Sequence, residues 1–278
     1  MEDRTLPIWL KAVLVVMAVM QLIFGLTLLL NPGALTSMWP WPMTAVTTRL
    51  LGSSTLVSVP LALLSVWFDR FSVARIPMVM MLTYRVMQIC AGLAHLGRFD
   101  FTSPTTWNYF GGGSVALVVL LIGLLRGASL GRPVTGAHSF LRGSAKLNLD
   151  RSGTLVFNAM GVLFVILGVL FFLLGDQAGF MWFEAGGNLT SLTARLFASP
   201  MLGLGLALLL IARAHLWRAV FVPAVGMITF GAAGILTLLL ESASVQPPTA
   251  FGYFIIATPV ILLILGLYLI LPNRSILE

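Results

Sequence analysis

The stretch "TTRLLGSSTLVSVPLALL" (Thr47–Leu64) sets Arg49 a few positions inside a run apolar enough to enter a bilayer. In the same chain, 146 residues later, "TARLFASPMLGLGLALLL" (Thr193–Leu210) does the same with Arg195. A charge at the bilayer centre costs about 3 kcal/mol, and less near the interface, where a long stem lets the head snorkel or pair. The stretch therefore reads as a membrane helix with a polar anchor near one end, and its recurrence reads as duplication.

Composition sets the class. The chain of 278 residues is 59% hydrophobic and 9% charged, against about 25% charged in a soluble domain, and its mean hydropathy is +1.01. It reads as an all-α integral membrane protein whose net charge of +7 matters by placement, not as a nucleic-acid footprint. Cys90 is the single cysteine, which excludes an intrachain disulfide and thiolate clusters. The first apolar run, 12–30, exceeds the apolar core of a secretory signal, about 7–15 residues, and has no small-residue cleavage site after it. It reads as a retained helix.

A spanning helix needs about 20 mostly apolar residues. Eight such runs separate at clusters of charge, Pro, Asn and Gly: about 12–30, 44–67, 73–95, 108–125, 154–174, 189–212, 217–240 and 251–271. With the N-terminus cytoplasmic, the inner segments hold Arg4, Lys11, Arg70, Arg75, the basic stretch Arg126–Arg151, Arg213, Arg218 and Arg274, while the outer loops hold only Arg98. The expected topology puts both termini inside, in the plasma (inner) membrane. Trp39, Trp41, Trp107 and Trp182 fall near the outer interface and Trp9, Trp67 and Trp217 near the inner one.

The two halves repeat. Thr47, Arg49, Leu50, Ser53 and Pro77 recur as Thr193, Arg195, Leu196, Ser199 and Pro223; Met38-Trp39, Tyr109-Phe110 and Gly25 recur at nearly the same offset. Four spans per unit give the halves one orientation, related by a pseudo-two-fold along the membrane normal. The expected organisation is a first repeat over 1–126, a basic cytoplasmic linker over 127–152 and a second repeat over 153–278.

A four-helix membrane unit with a Pro/Trp loop and then "TRLLG" opening its second helix resembles the DoxX-like superfamily of small four-helix membrane proteins, so each half resembles one such unit. Arg49 and Gly52 match its Arg-x-x-Gly element; Arg195 matches only the arginine, because Ala198 replaces the glycine. The acidic residue that often follows in that helix is missing from both copies, so the redox chemistry of some relatives is not carried over.

Polar groups at depth are site candidates. The Pro77/Pro223 alignment sets His95 and Glu241 at matching helix ends, with Tyr109 and Tyr253 opening the next helices. The expected clusters are Arg49, His95 and Tyr109 in one half and Arg195, Glu241 and Tyr253 in the other, each either a structural staple or a ligand site. Arg85, in "MLTYRVMQIC", is near mid-membrane, with Gln88 on the same helix face at i+3 and Gly231 as its counterpart. It either marks a site or caps carbonyls at a kink near Pro60 or Pro77. Gln21 and Asn158 read as interhelical hydrogen-bonding groups.

Several chemistries are argued down. Paired histidines for haem, a lysine within a late helix for retinal, and acidic pairs for a prenyl-diphosphate site are absent from the spans. The absence of mid-membrane carboxylates weakens proton-coupled transport. "YFGGGS" (Tyr109–Ser114) and "GLG" (203–205) read as close helix packing, and Asn188 opens a sequon, Asn-Leu-Thr. Three functions stay open, in this order: a non-catalytic accessory or lipophile-binding subunit, a small-molecule permease with its site between the repeats, and an intramembrane enzyme acting on a quinone- or isoprenoid-like substrate. Membrane lipids, a lipophilic ligand and partner membrane subunits are the expected partners; neither a cofactor nor a metal is identified.

Overall fold

The computed structural model describes residues 4–36, 43–130, 147, 149–182, 189–214, 216–246 and 249–271. Met38, Trp39, Trp41, Glu184, Asn188 of the sequon, His138, His215, Arg274 and most of the basic linker lie outside the described residues. Among the described residues, eight helices are long and apolar enough to cross a membrane. They are α1 Ile8–Leu30, α2 Ala45–Phe68, α3 Phe71–Leu93, α4 Pro104–Gly127, α5 Arg151–Leu174, α6 Ser191–Ile211, α7 Trp217–Leu240 and α8 Ala250–Ile270.

Local chemistry explains the helix starts. Thr44 and Thr190 accept hydrogen bonds from the backbone N–H of Thr47 and Thr193, so α2 and α6 open with the same cap. Ser103, Asp150 and Thr249 do this for α4, α5 and α8. Pro60 removes the N–H that would bond Leu56, and α2 is interrupted at Val57, three residues before it. Pro77, by contrast, sits inside an unbroken α3. The α2–α3 turn is two residues, with Asp69 in the left-handed region at φ 48. Its carboxylate accepts from Leu6 N–H at 2.9 Å and Lys11 Nζ at 2.6 Å, tying the N-terminal segment to the turn.

Packing interleaves the halves. Consecutive helices pair as α1 on α2, α5 on α6 and α7 on α8, but α2 also lies along α7 and α3 along α6, while α6 and α7 hardly meet. Helix α6 is the most enclosed, with 72% of its apolar window buried, and α4 the most peripheral, with 22%. Close approach relies on glycine. A Cβ at Gly52 would meet the backbone of Leu29 and Gly25 at 2.7 and 2.9 Å, and one at Gly205 would meet Val165 N and Gly161 O at 2.8 and 2.9 Å. The "GLG" segment is thus a packing face.

The tryptophans divide. Trp67 and Trp107 are exposed, 80% and 61%, as interfacial anchors are. Trp182 and Trp217 are buried instead, contrary to a belt position. Trp217 finds a partner for its indole N–H in the Leu269 carbonyl at 3.1 Å, and Trp182 packs on Phe197 with ring centroids 4.7 Å apart.

Candidate functional site

The expected clusters do not assemble within each half; they cross. Arg49 Nε donates to Glu241 Oε1 at 2.8 Å, from α2 to the end of α7. Arg195 on α6 instead meets His95, just past α3, with Nη1 3.2 Å from Nδ1 and 3.3 Å from Nε2. The crossing follows from the interleaving, because α2 packs on α7 and α6 on α3. Among the described residues the two arginines share no hydrogen-bond partner.

Each arginine also closes the preceding helix. Arg49 Nη1 donates to the Leu29 carbonyl near the end of α1, and Arg195 Nε to the Phe172 carbonyl near the end of α5 at 3.0 Å. The last carbonyls of a helix lack intrahelical partners and carry the negative end of the dipole, so a cation there is favourable. Ser53 Oγ meets Thr237 Oγ1 at 3.0 Å beside the first clamp. Ser199 is buried and its hydroxyl has no hydrogen-bond partner among the described residues; Ala91 stands at the offset where Thr237 stands in the other half.

An arginine only donates, so His95 must present an unprotonated ring nitrogen to Arg195. The Ala91 carbonyl 3.3 Å from Nδ1 assigns the proton there and the accepting lone pair to Nε2. Loss of hydration, followed by the Arg195 charge, holds the imidazole below its ordinary value; the Ala91 carbonyl opposes this, Arg98 adds to it and Asp176 opposes it.

Tyr109 belongs to neither clamp. Its hydroxyl donates to the Gln88 carbonyl of α3 at 2.6 Å, and its ring enters the notch left by Gly92, where a Cβ would meet it at 2.7 Å. Tyr253, expected beside Arg195 and Glu241, faces outward and is 63% exposed.

Arg85 faces a crevice of about 820 Å3 between α1, α2, α3 and α4, touched also by Leu196. Its guanidinium Nη1 donates to Gln88 Oε1 at 2.7 Å, and its Cζ lies 5.6 Å from the Tyr84 ring centre. Among the described residues it meets no carboxylate. It is not at the α2 kink, and among the described residues it bonds no backbone carbonyl, so the capping role is not seen there.

The crevice exists because α1 and α4 diverge and because α4 lacks bulk there. Residues 108–112 form a π-helical turn, in which Gly111 and Gly112 line the space. This corrects the close-packing reading of "YFGGGS": a Cβ at Gly111 would meet nothing within 4 Å, and only Gly113 touches a neighbouring helix, through Ile89. Val16, Ile23 and Val115 line the same space and are 57–62% exposed, so it opens sideways toward the bilayer. Asn108 adds an amide that the sequence reading passed over; the π-turn over adjacent glycines was the signal available for it. Gln21 lines the crevice as well, on α1.

Among the described residues, no three His, Cys, Asp or Glu side chains converge as metal ligands. The space where α2, α3, α6 and α7 meet is about 30 Å3, room for a single water. No protein-family model matches the chain, and searches of curated proteins and of solved structures find no match.

Proposed function

We propose that this polytopic membrane protein is a lipophile-binding accessory subunit whose ligand occupies the α1–α4 crevice. The observation that carries this reading is Arg85, a cation within a membrane helix, facing an 820 Å3 space that is mostly apolar and open to the lipid side. Small-molecule sites are concave, largely apolar spaces of about 300–1,000 Å3 with a few placed polar groups. Binding is favoured over catalysis because, of the acid–base candidates His95, Tyr109 and Glu241, only Tyr109 lines the crevice, and its hydroxyl already donates to the Gln88 carbonyl. Binding between the halves is disfavoured by the small space at their meeting point.

In this reading the chain is a tandem duplication of a DoxX-like four-helix unit, with both termini cytoplasmic, in the plasma (inner) membrane. What supports the duplication is the recurrence of one local device at a constant offset: a threonine cap, an arginine five residues later, and a bond from that arginine to a carbonyl ending the previous helix. The clamps then staple the bundle, and only the first unit carries a site.

Native mass spectrometry of protein purified in mild detergent tests the proposal. Wild type should retain a lipophilic molecule that Gly111→Trp, which adds bulk at a crevice-lining position where a Cβ meets nothing within 4 Å, releases. Identical adducts in both proteins would sink it.

A further inference from the structure

We infer that the ligand of this crevice is a single-chain amphiphile with a monoanionic carboxylate head, held by Arg85; the inference rests on the crevice being a binding site. Gln88 occupies only Nη1 of the guanidinium. The edge formed by Nε and Nη2 has no hydrogen-bond partner among the described residues, and that edge is the planar two-donor fork that matches a carboxylate. Gln88 fixes the plane of the fork, and the Tyr84 ring lies beside it.

Charge matching selects the head. Among the described residues, Arg85 is the only Lys or Arg lining the crevice, and no acidic residue lines it. One negative charge is neutralised there; a phosphate monoester, carrying about 1.5 to 2 charges, would leave an excess in a low-dielectric site. A neutral head would leave the cation unpaired at depth. Depth selects the chain number. Arg85 lies eight residues before the end of α3, about 12 Å into the helix, so the head must leave the interface and travel with its tail through the lateral opening. The lining of α1 runs from Ala12 to Leu28, which gives a tail an apolar track along most of that helix. The Gln21 and Asn108 amides line the same crevice as further polar groups.

The test is saturable binding of labelled palmitate, hexadecanol and hexadecyl phosphate to the full chain in zwitterionic nanodiscs, at mildly alkaline pH where the acid is ionised. Wild type should prefer palmitate to hexadecanol by about tenfold to a hundredfold, the range of a charge-assisted hydrogen bond. Arg85→Gln should erase that preference while leaving hexadecanol bound, and Arg85→Lys should keep part of it. Equal binding of acid and alcohol by wild type, or an unchanged preference in Arg85→Gln, overturns the carboxylate assignment and leaves the crevice standing. Tighter binding of hexadecyl phosphate also overturns it. If no probe binds saturably, or Gly111→Trp binds all three as wild type does, the crevice reading itself falls. Should Arg85→Gln not yield monodisperse protein, the wild-type comparison of acid with alcohol and the lysine variant decide.

Discussion

Positions 85 and 231 lie 146 residues apart, on α3 and α7, yet one faces a crevice and the other is sealed against the next helix. Position 85 is arginine and faces the crevice; its counterpart 146 residues on is Gly231, where a Cβ would meet the Pro259 carbonyl at 2.6 Å and Leu263 N at 2.9 Å. Gly234 and Gly266 hold α7 and α8 together in the same way, through Pro259 and through the Ala224 carbonyl. On the open side the glycines fall on the other helix, at 111 and 112, and face space. Glycine facing a neighbouring backbone therefore closes a helix pair, whereas glycine facing a gap leaves one open. The same residue type has opposite consequences, and the neighbour decides.

The sharpest way to break this comparison is to exchange the two positions. Gly231→Arg should abolish folded protein, because the side chain has no space beside α8. Even Gly231→Ala should destabilise by about 1–3 kcal/mol through overpacking. Gly111→Ala should stay within about 0.5 kcal/mol of wild type. Thermal unfolding in detergent reads all three, and equal behaviour of the two alanine variants would erase the distinction.

The clamps supply a second contrast. Removing Arg49 strands Glu241, whose side chain is 16% exposed, and should cost about 3–5 kcal/mol. Arg195→Leu loses hydrogen bonds to a carbonyl and a neutral ring and should cost about 1–3 kcal/mol. A larger loss in Arg195→Leu would mean that the ion pair is not the stronger staple. Tyr109→Phe should cost about 1 kcal/mol, since it leaves the Gln88 carbonyl with one partner fewer; no shift in melting temperature would show that hydroxyl to be idle.

The smallest expected effect is on pH. Burial and Arg195 lower the His95 pKa in the folded protein, so between that lowered value and the ordinary one, about 6.5, the unfolded chain binds more protons. Stability is complete above that window and declines as pH falls through it. Melting temperature should therefore drop on acidification below neutrality, and His95→Gln should flatten the profile. A wild-type curve that is level through that range would mean that His95 takes up its proton equally in both states.

Much of the fold was legible from the residues. Runs of apolar sequence broken by Pro, Asn and charge located the eight helices to within a few residues at most ends, because a backbone in lipid must satisfy its own hydrogen bonds. Pro60 marked a real break in α2. Arg85 stood out as an unpaid charge at depth, but its crevice did not, since emptiness depends on which helices diverge.

Sequence by itself determined that the chain lies in a membrane as helices, where those helices start, and which few polar groups must find partners there. Tertiary structure alone decided the partners. Arg49 meets Glu241 and Arg195 meets His95 because α2 lies on α7 and α6 on α3, a pairing of distant segments that periodicity does not encode. Local rules act over a turn or two of helix, while lateral order among equally apolar helices comes from shape, and shape here depends on where each glycine finds its neighbour.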